Sequence, residues 1–480
     1  MERTRAKIAG TLGPASDNPR VLRKLVEAGL DVARLNFSHG GPEDHRRRVE
    51  MVRKVAARLK HPVAVMADLQ GPRFRLGVLG QAQELKAGDG VTLCAGNQRI
   101  DKGQIPVPFR ALAGVVRPGH RILIDDGKVE LRVSKVRQPR IVCEVVRGGE
   151  ISDRKGLNLP DTELPVPALT AKDKRDLKLA VELGADWLAV SFVRRPQDVR
   201  AARRLLARHG SNMPILSKIE RPEAIENLEA ILEESDGLLV ARGDLGVELP
   251  PERVPVLQKK MIELCNYVGK PVMTATQMLD SMRYNARPTR AEASDVANAV
   301  LDGSSCLLLT AETAVGDYPV EAVSMMASIT REAEKSGRVR VKLPDYESLS
   351  VAEAASLAAC RTARNVGARY VVAFTESGST ARAVSRFRPR TPILAFSPVQ
   401  SVRRQLGLIW GVTPRAAAKA KSIDSMFAEL DRALLRGKMV ERGELVVVLC
   451  GAPVGVPGST NLMKVHQVGV KNGAKLGAGR

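Results

Sequence analysis

The chain has 480 residues, of which 44% are hydrophobic and 27% charged, so it is not a disordered protein and its length predicts about three domains at roughly 150 residues each. No apolar run approaches the roughly 20 residues that span a bilayer, there is no apolar secretory segment, and the six scattered cysteines form no Cys-x-x-Cys pair. The net charge of +22 is typical of nucleic-acid binders, but only 3% of the residues are aromatic. We therefore expect a cytoplasmic protein without a membrane span, disulfide framework or zinc site, whose partners are small polyanions rather than nucleic acid.

Eight short β-rich runs alternate with amphipathic helical segments, which is the pattern of a parallel α/β fold. The predicted strands span residues 7–12, 32–37, 63–69, 187–192, 215–220, 237–241, 272–276 and 306–310. The clearest predicted helices span residues 18–28, 42–59, 172–183 and 222–234. Eight such units predict a (β/α)8 TIM barrel, formed by residues 1–70 and 160–337.

The third and fourth predicted strands are separated by a segment of different texture. Residues 71–159 contain Gly/Pro turn signals between stretches of alternating apolar and polar residues, such as 128–133. This pattern predicts a small all-β domain, a β-barrel, inserted into a barrel loop. Active sites of such barrels lie on that face, so the inserted domain is expected to act as a lid.

A polar stretch from Glu334 to Pro344 marks a further boundary. Beyond it, predicted helices 349–366 and 379–386 alternate with predicted strands 370–374, 392–395 and 445–449. We expect residues 338–480 to form a separate doubly wound α/β domain.

Polar residues stand at the predicted carboxyl ends of six barrel strands, where catalytic residues of this fold are found. They lie in the segments 34–39, 68, 218–220, 242–244, 276–277 and 312. Glu220 and Asp244 follow consecutive strands and offer hard oxygen donors that suit Mg²⁺ or Mn²⁺. Lys218 points to the same face as Glu220, since side chains alternate along a strand. The alternatives are two solvated or salt-bridged acids and a plain Lys218–Glu220 ion pair.

Several other residues near these strand ends suit anionic groups. Gly243 allows backbone N–H groups to turn toward an anion, and Arg34 and Arg75 offer bidentate forks for phosphate. His39 could contact a nucleotide. The alternatives are an ordinary βα loop, surface arginines and a structural histidine.

Seven segments, in this order and spacing, closely resemble the pyruvate kinase family over nearly the whole chain. They are ARLNFSHG (33–40), KGLNLP (155–160), SKIE (217–220), VARGDLGVE (240–248), ATQML (275–279), RPTRAE (287–292) and AETA (311–314). The resemblance implies the same three-part architecture and a homotetramer. It also implies phosphoryl transfer from phosphoenolpyruvate to ADP, giving pyruvate and ATP in the last step of glycolysis.

The resemblance also implies roles for individual residues on the substrate side. Glu220 and Asp244 would hold the divalent metal, and Lys218 would stabilise the transferring phosphoryl group and the developing enolate. Backbone amides around Gly243 and Asp244, with the Thr276 hydroxyl, would hold the substrate carboxylate, and Thr276 would lie near the waters that protonate the enolate.

On the nucleotide side, the resemblance implies a second set of residues. Arg34 and Arg75 would grip phosphates, and Asn36, His39 and Lys155 would lie toward the nucleotide. Asp126, on the lid, would approach the nucleotide when the lid closes.

The region of the monovalent cation departs from the common family pattern. It comprises Asn36, Ser38, Asp68, Leu69 and Arg73. Many members that need K⁺ follow the aspartate of strand three with Thr-Lys-Gly-Pro-Glu, whereas LQGPR (69–73) follows Asp68 here. The hypothesis is that the Arg73 guanidinium supplies the positive charge of K⁺, so that K⁺ is not required.

A loop in the C-terminal domain resembles the family's site for phosphorylated allosteric effectors. TESGST (375–380), with Thr375, Ser377, Gly378, Ser379 and Thr380, joins a predicted strand to a predicted helix, and PGSTN (457–461) resembles the second loop of that site. Free N–H groups and hydroxyls there suit a phosphate, and the alternative is ordinary N-capping by Ser377 or Ser379.

Two rival functions remain. One is a Mg²⁺-dependent, enolate-forming aldolase on the same barrel, which the inserted domain and the phosphate-gripping arginines disfavour. The other is a basic nucleic-acid-binding protein, which would show salt-sensitive retention on DNA without turnover.

Overall fold

The computed structural model describes residues 3–96, 103–339, 349–420, 422–453 and 459–470. Its first segment is the start of a barrel, with each helix following a buried strand. The elements are β1 (Lys7–Thr11), α1 (Pro19–Ala28), β2 (Val32–Asn36), α2 (Pro42–Arg58) and β3 (Ala64–Asp68). Local chemistry defines the ends of α1, because Asn18 Oδ1 accepts a 2.8 Å hydrogen bond from Arg20 N–H and Gly29 follows the last turn with φ +137°.

The insertion after β3 is an all-β unit with one short helix. Its elements are β4 (Phe74–Arg75), β5 (Gln83–Leu85), β6 (Gly90–Ala95), β7 (Gln104–Val107), α3 (Leu112–Val115), β8 (Arg121–Ile124), β9 (Val129–Arg137), β10 (Arg140–Arg147), β11 (Gly149–Ile151) and β12 (Gly156–Asn158). Seven strands form one sheet in the order β4-β12-β8-β9-β10-β6-β7, and β11 pairs with β5. Because β4 pairs with β12, the chain enters and leaves this domain side by side.

The chain then returns to the barrel. The elements are α4 (Ala171–Glu182), β13 (Trp187–Val190), α5 (Pro196–Arg208), β14 (Ile215–Ile219), α6 (Pro222–Glu226), α7 (Leu228–Glu234), β15 (Gly237–Ala241), α8 (Arg242–Glu248), α9 (Val254–Val268), β16 (Val272–Ala275), α10 (Arg290–Leu301), β17 (Cys306–Leu309), α11 (Ala311–Ala314) and α12 (Pro319–Lys335). The helix predicted over 222–234 is interrupted at Asn227, whose Nδ2 donates to the carbonyl groups of Arg194 and Glu223.

The eight predicted barrel strands close into one parallel barrel, in the order β1-β17-β16-β15-β14-β13-β3-β2. Closure pairs Lys7 with Cys306, so the first strand of the chain lies beside the last. The side chains inside and around the barrel are almost entirely buried, and all six cysteines of the chain are buried free thiols. The (β/α)8 fold is confirmed, with strand ends within two residues of the predicted ones.

The C-terminal domain is a separate α/β unit. Its elements are α13 (Val351–Asn365), β18 (Tyr370–Phe374), α14 (Ser379–Arg386), β19 (Ile393–Ser397), α15 (Gln400–Gln405), β20 (Val412–Ala416), α16 (Ile423–Arg436), β21 (Leu445–Gly451) and β22 (Thr460–Gln467). The sheet has the order β20-β19-β18-β21-β22, and β22 runs antiparallel to β21. The predicted α/β character is confirmed. The predicted boundary extends into residues 340–344, which lie outside the described residues.

In the part of the chain that the structure describes, no helix combines the length and the apolar character needed to cross a membrane.

Candidate active site

The centre of the candidate site is the Lys218 side chain, which lies near the carboxyl end of β14 and is 6% exposed. Its Nζ is 2.7 Å from Glu220 Oε1 and 3.4 Å from Asp68 Oδ1, and it donates a 2.7 Å hydrogen bond to Ser191 Oγ. Burial lowers the pKa of Lys218, but the carboxylates of Asp68, Glu220 and Asp244 outweigh burial and raise this pKa above its ordinary value. The ammonium group therefore stays charged in a nearly dry environment.

Glu220 and Asp244 are close enough for their charges to interact. Burial raises the pKa of Glu220, the Lys218 ammonium lowers it and the Asp244 carboxylate raises it, and the net pKa lies above the ordinary value. Glu220 Oε2 also accepts a 2.8 Å hydrogen bond from Phe192 N–H. Two mutually repelling carboxylates are hard oxygen donors of the kind that Mg²⁺ or Mn²⁺ binds.

The described part of the chain places no third metal-binding side chain with Glu220 and Asp244. Among the described residues, no group of three or more His, Cys, Asp or Glu side chains is arranged to hold a metal ion. Mg²⁺ usually binds through one or two carboxylates and keeps waters and substrate oxygens in its remaining positions. The pair Glu220 and Asp244 therefore fits a Mg²⁺ ion that is shared with a substrate.

Arg34 is fixed at the rim beside Lys218. Its Nε donates a 2.7 Å hydrogen bond to Asp68 Oδ2, and its Nη1 donates a 2.9 Å bond to Thr11 Oγ1. Burial raises the pKa of Asp68, but Lys218 and Arg34 outweigh burial, and the net pKa is below the ordinary value. Only 12% of the Arg34 side chain is exposed, so it is not a free surface arginine.

Gly243 and Thr276 meet at the ends of β15 and β16. The Gly243 N–H donates a 2.7 Å hydrogen bond to Thr276 Oγ1, and Thr276 has φ +70°, a conformation that costs a non-glycine residue roughly 1 kcal/mol or more. Arg242 holds this backbone in place, because its Nη2 donates a 2.7 Å bond to Thr276 O. The βα loop expected at residues 242–244 is itself helical, since α8 begins at Arg242.

Glu312, at the end of β17, has a different environment from the other strand-end residues. It is fully buried, its Oε1 accepts from Leu279 N–H at 3.1 Å, and its Oε2 accepts from Thr310 N–H at 2.7 Å. These contacts give the carboxylate a structural role in holding the loops after β16 and β17.

A cleft of about 1040 Å³ lies between the inserted β domain and the barrel. Five of the predicted site residues line it, namely Arg73, Arg75, Asp126, Lys155 and Asp244. Lys155 Nζ is 3.0 Å from Asp125 Oδ2, and Arg75 Nη1 donates a 3.0 Å bond to Arg154 O. Asp126 is exposed, with φ +56°. The cleft thus brings the predicted nucleotide side next to the carboxylate of Asp244.

The segment after β2 lies close to these cations. His39 is exposed, and its pKa is lowered by partial burial and by the positive charges of Arg73, Arg75 and Arg34. Asn36 Oδ1 accepts a 3.0 Å hydrogen bond from Ser38 N–H. His39 is therefore neutral near pH 7 and faces a cationic surface.

Leu69 and Arg73 differ sharply in environment. Leu69 is buried, and its carbonyl accepts a 2.7 Å bond from Ser191 Oγ. Arg73 is exposed and lines the cleft, whereas Asp68 is balanced by Arg34 and Lys218. Arg73 is thus close enough to His39 to lower its pKa, and among the described residues it forms no ion pair with Asp68.

Sequence reasoning missed a buried ion pair in the wall of the cleft. Arg221 Nη1 donates a 2.8 Å bond to Glu248 Oε2, both side chains are 2% exposed, and Asn158 Nδ2 donates a 2.7 Å bond to Glu248 Oε1. Arg221 Nη2 also donates to Thr162 O at 3.2 Å. The pair ties the base of the β domain to the helix that carries Asp244. The only sequence signal was that Arg221 follows Glu220 and that Glu248 ends a family segment.

The predicted effector loop forms one wall of a cavity of about 610 Å³ in the C-terminal domain. Thr375 Oγ1 accepts a 2.9 Å bond from Gly378 N–H, and Thr380 Oγ1 lies 2.7 Å from Thr460 Oγ1. The N-cap position of α14 is Gly378, with φ +84°, and no side chain caps this helix. Of the alternative, N-capping by Ser377 or Ser379, the described residues show only a long 3.4 Å bond from Ser379 N–H to Ser377 Oγ. Residues 457 and 458 of the second loop lie outside the described residues.

A closed parallel barrel with a buried, charged cluster at the carboxyl ends of its strands is the arrangement of a (β/α)8-barrel enzyme. Comparison with known proteins identifies the family. Residues 3–323 match the family model "Pyruvate kinase, barrel domain", and residues 353–466 match "Pyruvate kinase, alpha/beta domain". The chain belongs to the pyruvate kinase family.

Individual relatives agree with the family models. The pyruvate kinases of Staphylococcus aureus strains MRSA252 and USA300 are each 42% identical to this chain over 487 aligned positions, which cover 99% of this chain and 83% of the relative. The chain is thus similar to these enzymes along both its barrel and its C-terminal domain, and it is an enzyme of this family.

Proposed function

We propose that this enzyme transfers the phosphoryl group of phosphoenolpyruvate to ADP, giving pyruvate and ATP in the last step of glycolysis. The observation that supports this most strongly is the Lys218 ammonium, held 2.7 Å from Glu220 and 3.4 Å from Asp68 beside a cleft lined with arginines. A phosphoryl group in transfer and an enolate oxygen are both negatively charged. A fixed, desolvated cation stabilises such charge because it pays no reorganisation cost during the reaction.

The substrate side of the proposal assigns a role to each rim residue. Glu220 and Asp244 hold Mg²⁺ or Mn²⁺, which, when bound, neutralises negative charge on the substrate oxygens. Lys218 contacts the transferring phosphoryl group and the enolate oxygen. The backbone amides of Gly243 and Asp244 and the hydroxyl of Thr276 hold the substrate carboxylate, and Thr276 lies near the waters that protonate the enolate.

The nucleotide side uses the cleft. Arg34 and Arg75 bind phosphates through their guanidinium groups, and Asn36, His39 and Lys155 lie toward the nucleotide. Asp126 approaches the nucleotide when the β domain closes over the barrel. The supporting observation is that Arg75, Lys155 and Asp126 line one cleft together with Asp244.

The proposed enzyme does not require K⁺, because Arg73 supplies a fixed positive charge in the region of Asn36, Ser38, Asp68 and Leu69. The influence of Arg73 on the pKa of His39 supports this placement. The test is an initial-rate assay in sodium or tetramethylammonium buffer, with Arg73→Glu as the matched variant. Full activity without K⁺ in the parent chain and K⁺-dependent activity in the variant are expected. A parent enzyme that is inactive until K⁺ is added contradicts the role of Arg73.

Regulation and assembly complete the proposal. A phosphorylated metabolite binds the loop Thr375–Thr380, the enzyme forms a homotetramer, and it works in the cytoplasm. The supporting observation is the cavity that Thr375, Ser377, Ser379 and Thr380 line.

The decisive experiment is a coupled assay that follows pyruvate and ATP formation from phosphoenolpyruvate, ADP and Mg²⁺. Turnover that depends on all three is expected, and sugar phosphates and AMP are then added singly to test regulation. An enzyme that forms no ATP but condenses pyruvate with an aldehyde would contradict the proposal and favour the aldolase alternative.

A further inference from the structure

A further polar cavity lies at the end of the barrel opposite to the candidate active site, where the amino ends of the barrel strands meet the C-terminal domain. We call it the junction pocket, and its volume is about 280 Å³, part of which is open to solvent. The barrel contributes Lys270, two residues before β16, and Ser305, which directly precedes β17. The C-terminal domain contributes Arg382, Ser385, Arg386 and Arg388. Four cationic side chains thus line one small cavity.

Arg388 is fixed rigidly in this pocket. Its Nη2 donates to Asn266 Oδ1 at 2.6 Å, Gly303 O at 2.9 Å and Ser305 Oγ at 3.1 Å, and its guanidinium carbon lies 4.6 Å from the centre of the Trp410 ring. Its Nη1, in contrast, is buried and has no hydrogen-bond partner. A buried donor without a partner is energetically unfavourable, so this atom calls for an acceptor that the protein itself does not supply.

Arg386 has a second unsatisfied donor. Its Nη1 pairs with Glu353 and its Nη2 donates to Tyr267 O, while its Nε is buried without a hydrogen-bond partner. The two orphaned donors belong to side chains that line the same cavity.

The charges of the pocket are also incompletely balanced. Burial lowers the pKa of Arg388 to about 9, and only the charge of Glu334 opposes this effect. Burial likewise lowers the pKa of Arg382 and of Lys270, with Asp236 opposing it in both cases. The guanidinium groups still carry their charges at pH 7, so a desolvated anion would be strongly favoured here.

We propose that the junction pocket binds one phosphate group, either free or as the head of a small phosphate ester. Its oxygens accept hydrogen bonds from Arg386 Nε and Arg388 Nη1. The pocket, at about 280 Å³, is much smaller than the cleft of about 1040 Å³, which favours a single tetrahedral oxyanion over a nucleotide. Guanidinium groups are the side chains best matched to phosphate, because their planar donors form paired, charge-assisted bonds.

Occupancy of the pocket would join two domains. The phosphate would lie between α14, which carries Arg382 and Arg386, and Lys270, which lines the pocket from the barrel segment before β16. At its other end α14 reaches the loop Thr375–Thr380, since Arg382 Nη2 donates a 3.1 Å bond to Ser377 O. The binding proposal stands apart from the proposed function, because none of its residues belongs to the candidate active site.

The first test locates the anion directly. Crystals of the whole chain grown in chloride are soaked in sodium tungstate, a heavy analogue of phosphate, and anomalous scattering shows each bound ion. A peak between Arg386 and Arg388 is expected. Peaks only at the candidate active site or at the loop Thr375–Thr380 would overturn the proposal. The soak needs no variant, so it does not depend on a substituted protein that folds.

The second test measures affinity. Inorganic phosphate is titrated calorimetrically at constant ionic strength into the parent chain, Arg386→Gln, Arg388→Gln and the matched control Arg390→Gln, whose exposed side chain does not line the pocket. Binding about ten-fold weaker or lost in the first two variants and unchanged in the control is expected, since a charge-assisted bond is removed. Identical isotherms in all four proteins would refute the site.

The same titration with glycerol 2-phosphate identifies the source of the phosphate. Binding of the ester that is sensitive to Arg386→Gln supports a phosphorylated metabolite as occupant. Binding of inorganic phosphate alone, with the same sensitivity, supports the free ion.

Discussion

The carboxyl and amino ends of the barrel strands carry different arrangements of charge. At the carboxyl ends, Asp68, Glu220 and Asp244 surround one ammonium group, and burial raises the pKa of Glu220 while Asp244 adds to that rise. At the amino ends, Arg386 and Arg388 reach a cavity in which each leaves a donor nitrogen without a partner. The first end is suited to a bound cation, and the second to a bound anion.

The difference follows from what each end contacts. The carboxyl ends open into a cleft, where substrates can enter and complete the shell of charges. The amino ends are covered by the C-terminal domain, and Asp186 there accepts hydrogen bonds from Arg53, on the barrel, and Arg404, on the C-terminal domain. Under the proposed function, buried charge at the first end therefore serves chemistry, whereas buried charge at the second end holds domains together. Matched substitutions at the two ends, compared for their effects on kcat and on stability, can test this division.

The largest effect is expected for the two buried lysines. Lys218→Met should lower kcat at least about 10²-fold, because a preorganised donor to the reacting group is lost. Lys7, at the amino end, is 5% exposed and donates a 2.8 Å bond to Val412 O. Lys7→Met should leave kcat nearly unchanged. The coupled assay measures kcat, and thermal unfolding checks that both variants fold. Near-normal turnover of Lys218→Met would refute the role given to that lysine.

The second prediction compares a buried histidine, His45, with a partly buried one, His61. The ring of His45 stacks on Phe37 at 4.1 Å and its Nδ1 has no partner, and burial lowers its pKa from 6.5 to about 4. Between these two pH values the unfolded chain binds more protons than the folded one, so stability is lost as the pH falls from 6.5 to 4. The loss should reach about 2–3 kcal/mol.

Urea unfolding at several pH values measures this slope, and His45→Gln should reduce it. His61 provides the control, because burial lowers its pKa but Asp31 opposes the shift. His61→Gln should therefore change the slope less. An equal change in both variants would show that the pairing with Asp31 has no effect on the acid sensitivity.

The third prediction concerns the contact between domains. Asp186 is 1% exposed, lies 2.8 Å from Arg53 and 2.7 Å from Arg404, and accepts a 2.8 Å bond from Val65 N–H. Asp186→Asn removes the charge but keeps the shape. The free energy of unfolding should fall by about 1–2 kcal/mol, less than for a fully buried pair because both arginines are partly exposed.

Urea unfolding measures that change and the coupled assay shows whether kcat is affected. Lys54→Gln is a suitable control. Lys54 Nζ lies 3.8 Å from Glu50 Oε2, both side chains are exposed, and such a pair contributes little to the free energy of unfolding. A large fall in kcat with unchanged stability in Asp186→Asn would contradict the division between the two ends.

The smallest effect is expected at the start of α13. Ser350 Oγ accepts from Glu353 N–H, and Glu353 Oε2 accepts from Ser350 N–H at 2.9 Å, which is a capping box. Ser350→Ala should lower the free energy of unfolding by about 1 kcal/mol. Phosphate affinity should stay the same, because Ser350 does not line the junction pocket. A changed affinity would show that the cap also positions Arg386 through Glu353.

Most of the barrel was predictable because each strand is a short apolar run followed by an amphipathic helix. The strands at 215–220 and 237–241, for example, were placed within one residue. Two strands of the C-terminal domain were missed. Val412–Ala416 contains Pro414, which argues against a strand unless it lies at an edge, and β20 is the edge of its sheet.

The candidate site was predictable only in part. Residues at strand ends converge by the geometry of the barrel, so Lys218, Glu220 and Asp244 could be grouped from their positions alone. The Arg221–Glu248 pair could not, because it joins residues from different βα units to the base of the β domain through contacts that no local pattern encodes. The junction pocket is unpredictable for the same reason, since its lining comes from two domains.

The pairing of β1 with β17 has a consequence for synthesis of the chain. Lys7 lies beside Cys306, so the first strand must wait for roughly three hundred more residues to leave the ribosome before its free edge is covered. During that interval the nascent chain exposes unpaired backbone groups and an apolar face to other molecules. The barrel therefore cannot close during synthesis until β17 has left the ribosome.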